Sequence, residues 1–148
     1  MTQIIRLDEK TFVAGQIYPP DIPDIAESGV VCIVNNRPDG EDVSGQPSAQ
    51  EIEIVTIRNG LTFAYLPFTA PSLTPELVSQ FVELLNVTSE PLLAYCRTGN
   101  RSTMLWAAAR IAQGASLDQV LERALAAKYD IRPAAQFIYA LGKAAEIK

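Results

Sequence analysis

The sequence predicts an α/β domain built on a mostly parallel central sheet flanked by helices. Three observations carry that prediction. Val30-Val31-Cys32-Ile33-Val34 is apolar throughout and rich in β-branched residues, the composition of a strand buried on both faces. Helix-start signals recur between the apolar runs, at Ser48–Glu51, Thr74-Pro75 and Ser116–Gln119. Strand and helix patterns alternate along the chain, which calls for crossover connections with helices on both faces of one sheet.

Each element has its own local warrant. Phe12-Val13-Ala14 is a short strand pattern. Asp21 is placed to cap a short helix through Ile25 and Ala26, which Gly29 ends. The strand at 30–34 follows, then a polar loop, Asn35 to Asp42, with the turn signal Pro38-Asp39-Gly40. Ser48 and Glu51 form a capping box for a helix through Ile57, ended at Asn59-Gly60. Leu61 to Leu66 reads as a strand and Pro67 to Leu73 as a loop. Thr74 caps the next helix, in which Leu77, Val78, Phe81, Val82, Leu84 and Leu85 repeat at helical spacing. Pro91 to Tyr95 is again an apolar strand, followed by a helical stretch from Ser102 to Gln113. Helices from Ser116 and from Pro133 complete the chain.

With 148 residues the chain has the length of a single domain, 1–148. Its net charge of −5 argues against nucleic acid as a main partner, which calls for a basic face. No apolar run is long enough to cross a membrane. Residues 1–6 lack the apolar core of a signal peptide, so a cytoplasmic protein is expected. Two cysteines and no histidine leave no zinc site and no Cys–His catalytic pair. No metal or other cofactor is expected.

The chemistry concentrates in Tyr95-Cys96-Arg97-Thr98-Gly99-Asn100-Arg101-Ser102. A cysteine ends a buried strand and sits in a short loop that opens a helix. Unpaired N–H groups and the helix dipole bind anions at such a place, and they also stabilise a thiolate. Arg101 adds a planar, permanently charged fork suited to an oxyanion. Gly99 permits the φ values of a tight cradle, and Asn100 tolerates left-handed backbone. Arg97 either contacts substrate or is a solvated surface residue. The alternative for Cys96, a small core thiol, leaves two arginines and a glycine in one loop without a purpose. In an α/β sheet the loops after Val34, Leu66 and Tyr95 lie at the carboxyl edge, where ligands bind.

The loop resembles two families. In cysteine-dependent phosphatases a cysteine ends a strand, an arginine ends the loop and a Ser or Thr follows it, usually with five residues between cysteine and arginine. Here there are four, Arg97 to Asn100, which is the shorter length of the rhodanese sulfurtransferases. The rhodanese Asp-x-Arg and Gly-His-Ile segments are missing upstream. Asn35-Asn36-Arg37-Pro38-Asp39-Gly40-Glu41, Tyr65-Leu66-Pro67 and Cys96 to Ser102 together resemble a bacterial phosphatase-like family, the domain also found beside beta-lactamase-like hydrolase domains. The resemblance runs from Phe12 to about Leu141. It implies a protein tyrosine phosphatase-like fold of the dual-specificity type. It also implies phosphate monoester hydrolysis through a phosphocysteine, a phosphorylated protein or small molecule as substrate, and a functional link to a metallo-beta-lactamase-like hydrolase.

On that reading Cys96 is the nucleophile, Arg97 to Arg101 cradle the phosphoryl oxygens, and Arg101 clamps two of them. Ser102 either bonds the sulfur or caps the helix. Tyr95 replaces the histidine that most phosphatases carry before the cysteine, and orienting the loop is the role left to it. The loop after Leu66 carries no carboxylate, so Asp39 is the first choice for general acid, with Glu41 and Asp42 as rivals. Arg37 and Phe68 are assigned to the substrate pocket, their alternatives being an ion pair and core packing. Cys32, on the strand expected beside that of Cys96, is a core thiol or a redox partner. Two other functions stay open: sulfur transfer through a Cys96 persulfide, and anion binding without turnover.

Overall fold

The computed structural model describes residues 2–146. Five strands form one sheet: β1 (Ile4–Arg6), β2 (Thr11–Ala14), β3 (Cys32–Asn35), β4 (Thr62–Tyr65) and β5 (Leu92–Tyr95). Their order is β1-β2-β5-β3-β4. β5 lies between β2 and β3, parallel to both, and β3 is parallel to β4. Only β1 runs antiparallel, pairing Ile4 with Ala14 and Arg6 with Phe12. The predicted mostly parallel α/β fold is therefore observed. β1 lies outside that reading, because three residues at a sheet edge carry too little periodicity to register.

Six helices cover the sheet: α1 (Ile22–Glu27), α2 (Ala49–Arg58), α3 (Pro75–Val87), α4 (Asn100–Ala112), α5 (Leu117–Ala126) and α6 (Ala135–Ala145). Three of their starts follow the local signals, but Asp21 makes no side-chain cap for α1: its Oδ2 accepts from Tyr18 N–H at 2.9 Å instead. Ser48 and Glu51 form the reciprocal capping box of α2, and Ser116 and Gln119 that of α5. Thr74 Oγ1 accepts from Leu77 N–H, with Pro75 at the first position of α3.

Side chains alternate across the sheet, as a pleated strand requires. Leu93 and Tyr95 of β5 join Ile33, Ile22, Ile25 and Ile52 on the face covered by α1 and α2. Leu92 and Ala94 join Val34, Cys32, Phe81, Leu105 and Trp106 on the face covered by α3 to α6. α4 is the helix most deeply set, with residues 102–109 all buried. Both ends of its strand–loop–helix unit are thereby anchored in core. Among the described residues no helix is long and apolar enough to cross a membrane.

Candidate active site

Cys96 follows directly on β5, at the carboxyl edge of the sheet. The turn after β2 meets it there. Gln16 N–H donates to Arg97 O at 3.1 Å, and Cys96 N–H donates to Ala14 O at 3.3 Å. Gly15 makes this approach feasible, since a Cβ there would stand 3.0 Å from Arg97 O. The loop then tightens over its own cysteine. Gly99, at φ 98°, is the N-cap of α4, and its N–H donates to Cys96 Sγ at 3.1 Å. Cys96 has 0% exposed surface. α4 starts at Asn100 rather than at Ser102, so Arg101 and Ser102 stand in its first turn.

Arg101 is oriented from outside the loop. Its Nη1 donates to Glu41 Oε2 at 2.8 Å and to Phe68 O at 3.1 Å, and its Nη2 donates to Glu41 Oε1 at 2.9 Å. Glu41 Oε1 also accepts from Arg37 Nε at 2.9 Å. The Glu41 carboxyl is held below its usual range by the hydrogen bond from Arg101, and by Arg37, against a smaller opposing effect of burial. Arg101 is shifted the other way by the same partner and further by the nearby Cys96 sulfur. The two arginines and one carboxylate thus carry net positive charge beside the cysteine.

Three sequence expectations are corrected, and for Cys32 the core-thiol alternative is the one observed. Asp39 is engaged at α2: its Oδ1 accepts from Ala49 N–H at 2.8 Å, which satisfies a free donor at the start of that helix. Ser102 Oγ bonds neither sulfur nor its own helix end, but donates to Asn36 Oδ1 at 2.8 Å in the buried interior. Phe68 is 2% exposed and packs in the core; only its carbonyl meets the site, through Arg101. Cys32 pairs with Leu92 in the sheet register, four residues before Cys96. That spacing puts about 13 Å of strand between the two cysteines, well beyond disulfide reach.

The remaining candidates fall beside the cradle in different ways. Arg37 is buried beneath the site, with Nη1 donating to Gln16 Oε1 at 3.0 Å. Arg97 is exposed, and Thr98 Oγ1 accepts from Asn100 N–H at 3.3 Å. Asp42 is exposed and accepts from Ser44 N–H and Oγ. Tyr95 is buried on the α1/α2 face, its hydroxyl without a hydrogen-bond partner. It contributes core to the loop's foundation rather than a bond to the loop.

Asn36, Gln16 and Tyr129 escaped the sequence reading. Asn36 N–H donates to Tyr95 O at 2.8 Å, its Nδ2 donates to Leu66 O at 3.0 Å and its Oδ1 accepts from Ser102 Oγ, so one residue, through backbone and side chain, ties β3, β4, β5 and Ser102 together. The Asn35-Asn36 pair at a strand's carboxyl end was the available signal. Tyr129 O–H donates to Thr98 O at 3.2 Å, from a loop whose sequence carries no such signal.

The chain is similar in sequence and fold to known proteins. Residues 4–115 match the family described as beta-lactamase hydrolase-like protein, phosphatase-like domain. A beta-lactamase hydrolase-like protein of Agrobacterium fabrum is 28% identical over 102 residues, covering 69% of this chain and 23% of that protein. The chain spans about a quarter of the length of the curated relatives it matches. A crystal structure of a candidate phosphatase from Neisseria meningitidis superposes with a TM-score of 0.83 at 34% identity, covering 93% of this chain and 97% of the other. PTPMT1 has the same fold, with a TM-score of 0.77 at 14% identity over 97% of this chain and 96% of its own. With a family match across both the central sheet and the cysteine loop, the chain belongs to the phosphatase-like domain family of the beta-lactamase hydrolase-like proteins.

Proposed function

We propose that this domain hydrolyses phosphate monoesters, aryl phosphates foremost, through a phosphocysteine on Cys96. The observation that carries the proposal is the pairing of a donor-held sulfur with a pre-oriented cation: Gly99 N–H on Cys96 Sγ, and Arg101 fixed by Glu41. Membership of a phosphatase-like family supports the reaction class.

In the first step the thiolate attacks phosphorus, an S–P bond forms and the ester P–O bond breaks. Negative charge on the equatorial oxygens is met by Arg101 and by backbone N–H groups at the start of α4. In the second step water attacks phosphorus, the S–P bond breaks, and orthophosphate leaves as the thiolate is restored. Preference for aryl esters follows from the carboxylates. Asp39 is committed to α2, and Glu41 is held ionised between two arginines. Neither offers a proton to a departing alkoxide, whereas a phenolate leaves without one. Phosphorylated protein side chains and small aryl phosphates are both within this class. A catalytic thiol suits a reducing compartment such as the cytoplasm. The relatives' longer chains, named for a hydrolase, support a functional link to a metallo-beta-lactamase-like partner.

The test is a paired assay on the purified chain, with Cys96→Ser and Arg101→Ala. One arm follows release of nitrophenol from an aryl phosphate, and the other follows thiocyanate formed from thiosulfate and cyanide. Hydrolysis abolished in both variants supports the proposal. Thiocyanate production without hydrolysis replaces it with sulfur transfer, for which a four-residue loop closed on one sulfur atom is well shaped.

A further inference from the structure

α5 ends in a turn that delivers a side chain to the cradle. Lys128, at φ 73°, is the one non-glycine residue at positive φ among the described residues. Its N–H donates to Leu125 O at 2.9 Å, and the next N–H, of Tyr129, donates to Ala124 O at 2.9 Å. These two bonds make a Schellman closure, whose left-handed position is commonly glycine. A lysine there is strained, and such strain persists where surrounding structure enforces it, often at functional sites. Tyr129 is what this turn presents. Its hydroxyl donates to Thr98 O at 3.2 Å. Its ring occupies the space a side chain on residue 99 would need: a Cβ built on Gly99 would stand 2.7 Å from Tyr129 Cζ.

Thr98 C=O and Gly99 N–H belong to one peptide plane. A trans peptide directs the two groups to opposite sides. One side is taken by Tyr129 O–H, and the other faces Cys96 Sγ at 3.1 Å. We propose that Tyr129 is a positioning residue of this site, holding the Thr98–Gly99 peptide so that its N–H faces the sulfur. The proposal rests on the phosphatase reading for the chemistry the sulfur performs. An N–H donor fixed on sulfur stabilises the charge it carries before attack and after departure. The residue lies 31 positions from Thr98, on an element outside the cysteine loop.

Tyr129→Phe tests this, since it keeps the ring and removes the donor. Tyr139→Phe, on the exposed side of α6, is the matched control. Two readouts are taken: the amide-proton resonance of Gly99 and the steady-state constants for an aryl phosphate. In Tyr129→Phe the Gly99 resonance moves upfield and kcat falls roughly three- to tenfold, with KM little changed. The control moves neither. Tyr129→Leu, with folding checked by thermal melting, moves both in the same direction. A Gly99 resonance that stays in place in Tyr129→Phe overturns the proposal. So does a moved resonance in an active enzyme whose kcat is unaltered. A moved resonance in a chain whose wild type hydrolyses no aryl phosphate sinks the phosphatase reading and keeps the positioning role.

Discussion

Glu41 grips Arg101 at two points, Oε2 on Nη1 at 2.8 Å and Oε1 on Nη2 at 2.9 Å. A long side chain on the first turn of a helix is otherwise free to sample many rotamers. The two-point contact removes that freedom before substrate arrives. Glu41→Gln keeps the shape and drops the charge. Expected is a fall in kcat/KM of about tenfold for an aryl phosphate, the cost of a weakened charge-assisted contact. The carboxyl's folded value lies below its unfolded value of 4.5, so its ion pair contributes stability above that pH and loses it as pH falls through the folded value. Unfolding free energy followed from neutral pH into the acid range should therefore fall less steeply in Glu41→Gln. Parallel curves for the two proteins would remove Glu41 from the acid response.

Two glycines border the loop for different reasons, and their alanine variants should separate them. At Gly99 an added Cβ collides with the Tyr129 ring, and the backbone is left-handed. At Gly15 the backbone is ordinary, and the Cβ meets one carbonyl at 3.0 Å. Chemical denaturation should show Gly99→Ala losing about 2 kcal/mol or more, from strain and steric overlap together. Gly15→Ala should lose clearly less. A reversed order would mean that Tyr129 moves aside at no cost.

Ser102 is placed to hold structure. Its hydroxyl serves Asn36 Oδ1, and both residues are buried. Ser102→Ala leaves that oxygen without a donor, which costs about 1–3 kcal/mol. Denaturant midpoints read this directly. Where the variant is folded, the rate on an aryl phosphate should stay within about tenfold of wild type, the size expected of an indirect effect. A loss of a hundredfold or more in a fully folded variant would return Ser102 to a role on the sulfur.

At the far end of α4, Asp8 anchors the helix to the β1–β2 turn. Its Oδ2 accepts from Trp106 Nε1 and from Arg110 Nε, each at 2.8 Å. Burial pushes this carboxyl up, but hydrogen bonds from Arg110, Trp106 and the Lys10 backbone, with the charge of Arg110, outweigh it and hold the group below 3.8. The contribution to stability is present above that pH and is lost as pH falls through the folded value. Asp8→Ala strands a buried indole N–H and a guanidinium, and should destabilise the fold by about 2 kcal/mol at neutral pH. Calorimetry that finds no change would show that water replaces the carboxylate there.

Much of this was legible in the chain. The β3 and β5 runs and the capping boxes of α2 and α5 are each contained within a few consecutive residues. Cys96 and Arg101 were legible for the same reason, because strand, turn and first helical turn follow one another without a break. Local rules of φ, capping and period act at that range, and they decide which element a residue joins.

They do not decide which elements meet. Glu41 reaches Arg101 across 60 positions, Ser102 reaches Asn36 across 66, and Tyr129 reaches Thr98 across 31. Asp39 and Glu41 are two residues apart in one polar loop, and nothing in their order tells which carboxylate turns to α2 and which to Arg101. The sequence by itself determined the α/β class, the strand–loop–helix context of the cysteine and the family resemblance. The tertiary structure alone decided the strand order, that Glu41 is the carboxylate paired with Arg101, that Ser102 bonds Asn36 in the interior, and that Tyr129 meets Thr98. The physical reason is that backbone preferences are set by neighbours in sequence, while side-chain partners are set by how packed elements bring distant groups within 3 Å or so of each other.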